Sequence, residues 1–523
     1  MKKLPFGLSV LAAVLFIFSW PEKGFPFLIF FAWVPMLFLS DYFHKTSKKG
    51  LFLYAYLVFF LFNLAVTYWI WFATPAGAVM AILANAFLMA FTFWLWHKLR
   101  ARLPYSMGLA LLPALWILFE KLHYLWDLEW PWLTMGNVFA AHPRAVQWYA
   151  YTGVFGGTLW VMAVNLKIFS LLRKRRRYLW ADIAVLLFVP LIWSFYLYRH
   201  YKEKGPEAKV LLLQPNIDPW TEKFNRSNTE SMKDLLAMAA PYADSAELII
   251  APETALARLT DKDRIKNTGF YALLKDFQSR HSRASWLLGA SLYNFVPPGD
   301  SIPPTANRSK NGNWYQIYNS AVFVDEKGNV RLYHKRILVP GAEKMPFRKV
   351  LSPLLGDVVL NLGGATGTHT PSPEPVVFEA ANGKIKVAPI ICYESVFGDY
   401  VRQYVLKGAN LLAVITNDGW WKKTGGYRQH FHYARLRAVE TRRDVVRAAN
   451  TGRSGHINQR GDIVQSLAYN RRGALLVRPR LNDETTFYVR YGDYIPRIAL
   501  FTAVILILYA FGKKRVELVL LNR

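Results

Sequence analysis

Three residues stand at the ends of apolar runs and together have the functional groups for an acyl transfer. Cys392, in the stretch IICYESVFGD, is the only cysteine in 523 residues. Glu253 follows the run AELIIAP, and Lys335 closes a strand-like run in Tyr-His-Lys-Arg336. A thiol needs a base to become a nucleophile, and the oxyanion that forms at an attacked carbonyl needs a cation or N–H groups beside it. Carboxylate, ammonium and thiol supply those parts. Each residue also has a plainer reading, because free cysteine is among the most buried residue types and a lone Glu or Lys is usually solvated surface charge. Their common placement counts against it, since the active sites of α/β folds gather at strand ends. Ser395 is predicted to N-cap a helix beginning at Val396, which would set helix N–H groups beside the sulfur and favour the thiolate.

The elements that must position these residues lie in segment 200–495, which is large enough for one sizeable α/β domain. Strands are predicted at 209–215, 246–252, 285–292, 384–391, 409–416 and 444–450, with hairpins near Asp325–Gly328 and Asn458–Gly461. Helical periodicity falls at 228–242, 262–281, 396–407 and 427–441. The alternation argues for a layered α/β fold. Residues 296–313 and 363–375 are rich in Pro, Gly, Ser, Thr and Asn and read as loops.

On either side the sequence changes character. Apolar runs at 4–20, 25–40, 51–73, 78–96, 106–122, 153–172, 180–199 and 496–512 suggest about eight membrane spans, the first without a signal-peptide cleavage site. The expected organisation is a membrane domain at 1–199 with seven spans, an extracytoplasmic domain at 200–495, and a final span with a cytoplasmic tail at 496–523. Basic clusters at Lys2–Lys3, His44–Lys49, Lys98–Arg102, Arg173–Arg177 and Lys513–Arg515 occupy every second junction, which puts both termini in the cytoplasm. The formal charge of +29 would also suit nucleic-acid binding, but the basic residues sit in short clusters beside apolar runs and form no domain-wide patch. With one cysteine no internal disulfide can form.

The order Glu253, Lys335, Cys392-Tyr393-Glu394, in a domain that begins Val210-Leu-Leu-Leu-Gln-Pro-Asn216, resembles the carbon-nitrogen hydrolase (nitrilase) superfamily. Further matching stretches are Gly289-Ala290, Tyr318-Asn-Ser320, Thr416-Asn-Asp418, Gln429-His430 and Arg447-Ala-Ala-Asn-Thr-Gly452. With membrane helices on both sides, the chain is similar to the membrane-bound branch of that superfamily, which acylates the N-terminal amine of bacterial lipoproteins. The resemblance implies a four-layer α-β-β-α sandwich, with Glu253 as base, Lys335 as oxyanion partner and Cys392 as acyl carrier. Glu343, Glu394 and Tyr393 would support them. It further implies a phospholipid acyl donor, a diacylated lipoprotein acceptor, no cofactor, and a monomer in the bacterial inner membrane with its catalytic domain in the periplasm.

Trp220, Trp420 and Trp421 are candidate lipid contacts, whereas Trp126, Trp130 and Trp132 are expected at the membrane interface. His430 and His432, two residues apart, are poorly spaced for a shared metal, and none is expected. A membrane-tethered amidase is the nearest alternative, but hydrolysis of a soluble amide needs no bilayer. A transporter or scaffold fits less well, because the predicted spans hold few interior charges.

Overall fold

The computed structural model describes residues 3–21, 24–174, 179–281, 284–347 and 368–521. The chain divides into two units, Met1–Tyr68 with Ala78–His200 and Tyr491–Arg523, and Trp69–Gly77 with Tyr201–Arg490.

In the first unit, helices Lys3–Ser19, Ile29–Thr46, Leu51–Thr67, Pro75–Arg100, Tyr105–Leu122, Val154–Lys174, Leu179–His200 and Tyr494–Leu521 coincide with the eight apolar runs. Six are long and apolar enough to cross a membrane, while Lys3–Ser19 and Leu51–Thr67 are shorter. The run 51–73 is not one helix as expected. The helix stops at Thr67, a short turn Ile70–Ala73 follows, and Thr74 is extended (φ −156°, ψ 101°). Pro75 accounts for the extended Thr74, because a residue before proline is pushed out of the helical region while proline itself suits a helix start. Glu120, buried among apolar residues, accepts hydrogen bonds from Trp116 Nε1 (3.0 Å), the Met135 amide (2.8 Å) and Thr158 Oγ1 (2.7 Å). Trp132 is wholly buried and stacks on Trp130, so it is not the interfacial residue its type suggested.

The second unit contains fourteen described strands: β1 (Val210–Gln214), β2 (Leu248–Ile250), β3 (Leu256–Asp261), β4 (Ser285–Phe295), β5 (Asn307–Arg308), β6 (Trp314–Val324), β7 (Val330–His334), β8 (Phe378–Ala380), β9 (Ile385–Ile391), β10 (Leu411–Thr416), β11 (Asp444–Ala449), β12 (Gly455–Ile457), β13 (Ile463–Ser466) and β14 (Gly473–Val477). They form two sheets. One runs β14-β1-β2-β4-β6-β5, with β3 on β4 and β7 on β6; the other runs β13-β12-β11-β10-β9-β8. The inner strands β1-β2-β4 and β9-β10-β11 are parallel. β1, β10 and β11 are buried along their whole length; β1 and β10 accordingly read as nearly continuous apolar runs, while β11 also buries Asp444 and Arg447. The sheets pack through β1 on β11 and β6 on β9. Helices Asn228–Ala239 and Gly269–Arg280 cover the first sheet, and Gly398–Leu406 and Gly425–Thr441 the second, giving the four layers.

All six predicted strands and both hairpins are present. β3, β5, β8 and β14 were not foreseen, β5 interrupting the predicted loop 296–313; β6 was implied only by the hairpin at its end, and residues 363–367 of the predicted loop 363–375 lie outside the described residues. β6 escapes the apolar pattern because Gln316, Asn319 and Ser320 interrupt it.

Candidate active site

The parallel strand β9 ends at Ile391, and Cys392 follows with φ +50°, a left-handed conformation that costs a non-glycine residue of order 1–2 kcal/mol. The strain is held by hydrogen bonds on both sides. Glu394 Oε2 accepts from the Ile391 amide (2.8 Å), while the Cys392 carbonyl accepts from Ser395 Oγ (2.7 Å) and pairs with His430 Nε2 (3.1 Å). Ser395 is therefore not a helix cap. Residues Cys392–Val396 form a 3-10 turn, and the α-helix starts at Gly398 with Phe397, which has no capping group, at its N-cap; the Ser395 hydroxyl is engaged by the Cys392 carbonyl.

Glu394 also reaches the lysine strand. Its Oε1 accepts from Tyr333 Oη (2.6 Å) and from the amides of Arg336 (2.7 Å) and Ile337 (3.3 Å). Burial pushes its carboxyl up to about 7. One side chain thus ties the end of β7, and with it Lys335, to the turn that carries Cys392.

Lys335, 1% exposed, lies 3.4 Å from Glu253 Oε1 and 2.8 Å from Glu343 Oε2. Burial alone would lower it, but Glu343 and then Glu253 hold the ammonium well above its ordinary range. Glu343 would be raised by burial, yet Lys335 and His369 keep it below the usual carboxylate value. Asn319 on β6 bridges the two carboxylates, its Nδ2 donating to Glu253 Oε1 (2.7 Å) and Glu343 Oε1 (2.9 Å). The Asn417 amide donates to Glu253 Oε2 (3.0 Å). The Cys392 thiol is pushed up by burial and then by the Glu253 charge, against the pull of Lys335. Burial and the Glu253 charge thus both favour the protonated form of the sulfur.

A second buried ammonium adjoins this cluster. Lys223 Nζ donates to Thr254 Oγ1 (2.5 Å) and to the Glu253 carbonyl (3.2 Å), and burial lowers it to about 8 against the opposing pull of Glu253 and Cys392. In sequence it is a lysine in a polar loop, and nothing local marks it. The strand after Cys392 is braced from beneath by Asp418, which accepts from Arg447 Nη2 (2.9 and 2.7 Å) and Thr416 Oγ1 (2.9 Å) and pairs with His430 Nδ1 (3.0 Å). Burial would raise Asp418, but Arg447 and then His430 hold it at about 2. The stretches Thr416–Asp418, Gln429-His430 and Arg447–Gly452, noted only as matching, thus converge under the elbow.

The structure brings Glu253, Lys335, Cys392, Glu343 and Glu394 together; Tyr393 follows the sulfur and stacks edge-on to Phe397. The three candidate lipid contacts separate into two groups. Trp220, 46% exposed, meets Trp420 edge-on at 4.9 Å, and Phe224, also exposed, meets Trp420 at 6.3 Å. Trp421 instead packs on Trp69 (4.7 Å) and His430 (5.5 Å). Among the described residues no cluster of His, Cys, Asp and Glu could hold a metal ion.

Comparison with known proteins gives two family matches. The family described as "Apolipoprotein N-acyltransferase N-terminal domain" matches residues 12–167, and "Carbon-nitrogen hydrolase" matches residues 209–491. Among similar sequences, the apolipoprotein N-acyltransferase of Chlorobaculum tepidum is 26% identical over 98% of this chain and 97% of its own length. That of Thermotoga maritima is 25% identical over 95% and 92%, and that of Rhizobium meliloti 33% identical over 52% and 48%. Among solved structures, an amidase from Nesterenkonia superposes with a TM-score of 0.38 at 17% identity, over 56% of this chain and 97% of that one.

Proposed function

Because this chain belongs to the carbon-nitrogen hydrolase family and is a multi-pass membrane protein, we propose that it transfers a fatty acyl group from a membrane phospholipid to the N-terminal amine of diacylated lipoproteins. Glu253 takes the thiol proton as Cys392 attacks the ester carbonyl of the donor. Lys335 and the amide of Tyr393 stabilise the oxyanion. Collapse breaks the ester, the lysophospholipid leaves as an alcohol with the proton returned by Glu253, and the acyl chain remains on Cys392 as a thioester. The lipoprotein amine then attacks the thioester, Glu253 receives its proton, and the thiol is regenerated. Glu343 holds Lys335, Glu394 holds the elbow, and Trp220 and Trp420 contact the donor's acyl chain. The basic clusters between spans support a periplasmic catalytic unit in the inner membrane.

The observation that carries this reading is a buried Glu253–Lys335–Cys392 cluster in a chain whose relatives along nearly its full length are named for acylating lipoproteins. The test is incubation with a phospholipid bearing a labelled acyl chain, followed by a diacylated lipopeptide. Hydroxylamine-sensitive label should appear on the wild type, be absent from Cys392→Ala, and move to the peptide amine. Equal labelling of both proteins defeats the thioester; discharge to water alone makes the protein an amidase-like hydrolase.

A further inference from the structure

Lys223 is a buried charge beside Glu253 that the proposed reaction leaves without a part. Its side chain is almost fully enclosed, at 5% exposure. Enclosing an ammonium is expensive unless an anion compensates it, and a methionine would fill similar space without that cost. The anions it interacts with are Glu253 and, once ionised, Cys392.

The other cation of the site is already committed. Lys335 approaches Glu343 to 2.8 and 2.9 Å but Glu253 only to 3.4 Å, so Glu343 takes the larger share of its charge. The buried cluster then holds two carboxylates, Glu253 and Glu343, and two ammoniums, Lys335 and Lys223. It is neutral while the sulfur is protonated. Moving the proton from Cys392 to Glu253 shifts one negative charge from Glu253 to sulfur, and Lys223, bonded to the Glu253 main-chain carbonyl and to Thr254 Oγ1, is within electrostatic reach of both groups. The remaining groups around the thiol have partners of their own. Asp418 is matched by Arg447, Glu394 is held by Tyr333 and backbone amides, and His369, lowered by burial, faces Glu343.

We infer that Lys223 is a second electrostatic positioning residue of this site, a counter-cation shared by Glu253 and the Cys392 thiolate that keeps the buried charge paired before and after proton transfer. This rests on Cys392 being the nucleophile. The competing role is mechanical. Lys223 bonds Thr254, which follows the base and has φ +46°, and it could serve only as a clamp.

Alkylation by iodoacetamide separates the two, because the full chain in detergent micelles has a single thiol to react. An opposite charge within about 4–6 Å shifts an ionisation by roughly 1–3 units. Lys223→Met should therefore alkylate about 10- to 100-fold more slowly than wild type at pH 7.5. Lys223→Arg, which keeps the charge, and Thr254→Val, which keeps the charge but loses the bond, should stay within about threefold of wild type. A Lys223→Met protein that alkylates within about threefold of wild type overturns the inference. So does a Thr254→Val protein as slow as Lys223→Met. If Lys223→Met does not fold, the other two variants decide: a shared counter-charge leaves both near wild type, and a clamp slows both. Acyl transfer is read separately with labelled phospholipid, so normal Lys223-dependent alkylation without acyl transfer refutes the proposed function and leaves the charge role standing.

Discussion

Gly289→Ala should displace Glu253, the base of the proposed reaction, without touching its side chain. Gly289 lies on β4 beneath the loop that carries Glu253, and an added Cβ would stand 2.3 Å from the Pro252 carbonyl oxygen, 2.5 Å from Glu253 Cα and 2.5 Å from the Thr254 amide nitrogen. All three are backbone atoms, so no flexible side chain can swing aside. Ordinary contact begins near 3.4 Å, so the loop must retreat by about 1 Å. Asn319 and the Asn417 amide, which bind the two Glu253 oxygens, sit on β6 and beyond β10 and do not move with that loop. The contact to Lys335, already 3.4 Å, lengthens as well. A misplacement of about 1 Å costs on the order of 100-fold in rate, and overpacking costs about 1–3 kcal/mol of stability. Single-turnover acylation of Cys392 by labelled phospholipid should therefore slow about 100-fold, with a modest drop in melting temperature. Acylation within threefold of wild type, together with an unchanged melting temperature, would refute the claim that backbone contact with β4 sets the base.

Asp418→Asn strands the Arg447 guanidinium, 0% exposed, and should cost about 3–5 kcal/mol, read as a large fall in melting temperature; a fall of less than 2 °C would show that the pair is dispensable. Glu394 gives a pH dependence whose sign follows from its raised value. The unfolded carboxyl ionises near 4.5 and the native one near 7, so its contribution is full below about pH 4.5 and is lost as pH rises through 7, about 3 kcal/mol in all. Glu394→Gln should flatten the decline in melting temperature between pH 5 and 8, and an unchanged slope counts against it. Trp421→Ala should lower stability by about 2–3 kcal/mol through its contacts with Trp69 and His430. Trp420→Ala should instead raise the KM for phospholipid at nearly constant melting temperature; the reverse pattern would exchange their roles.

What the sequence disclosed depended on whether a residue's role was local. Cys392 and Lys335 were legible because each ends an apolar run, and a strand ends where its pattern does. β6 was legible only through the hairpin at its end, since Asn319 and Ser320 break the apolar pattern by meeting polar partners, Glu253 in one case and His334 in the other. Lys223 carried no signal because its burial is created by a contact with residues thirty positions away. The cap assigned to Ser395 failed for a related reason. A serine just before a helical pattern favours capping, but here the left-handed turn at Cys392 offers its hydroxyl a nearer carbonyl.

The short stretch Trp69–Gly77, lying between two apolar helices, groups with the hydrolase unit. The Trp69 ring fills the space where Gly426 lacks a Cβ, which would approach it to 2.7 Å, and it closes against Trp421, while Lys422 lies over the ring of Phe72. The hydrolase unit is thus not a cassette with one entry and one exit. A fragment of residues 201–490 would leave Trp421 and the start of helix Gly425–Thr441 bare on that side. The chain outside 201–490 thus supplies part of the wall of this unit.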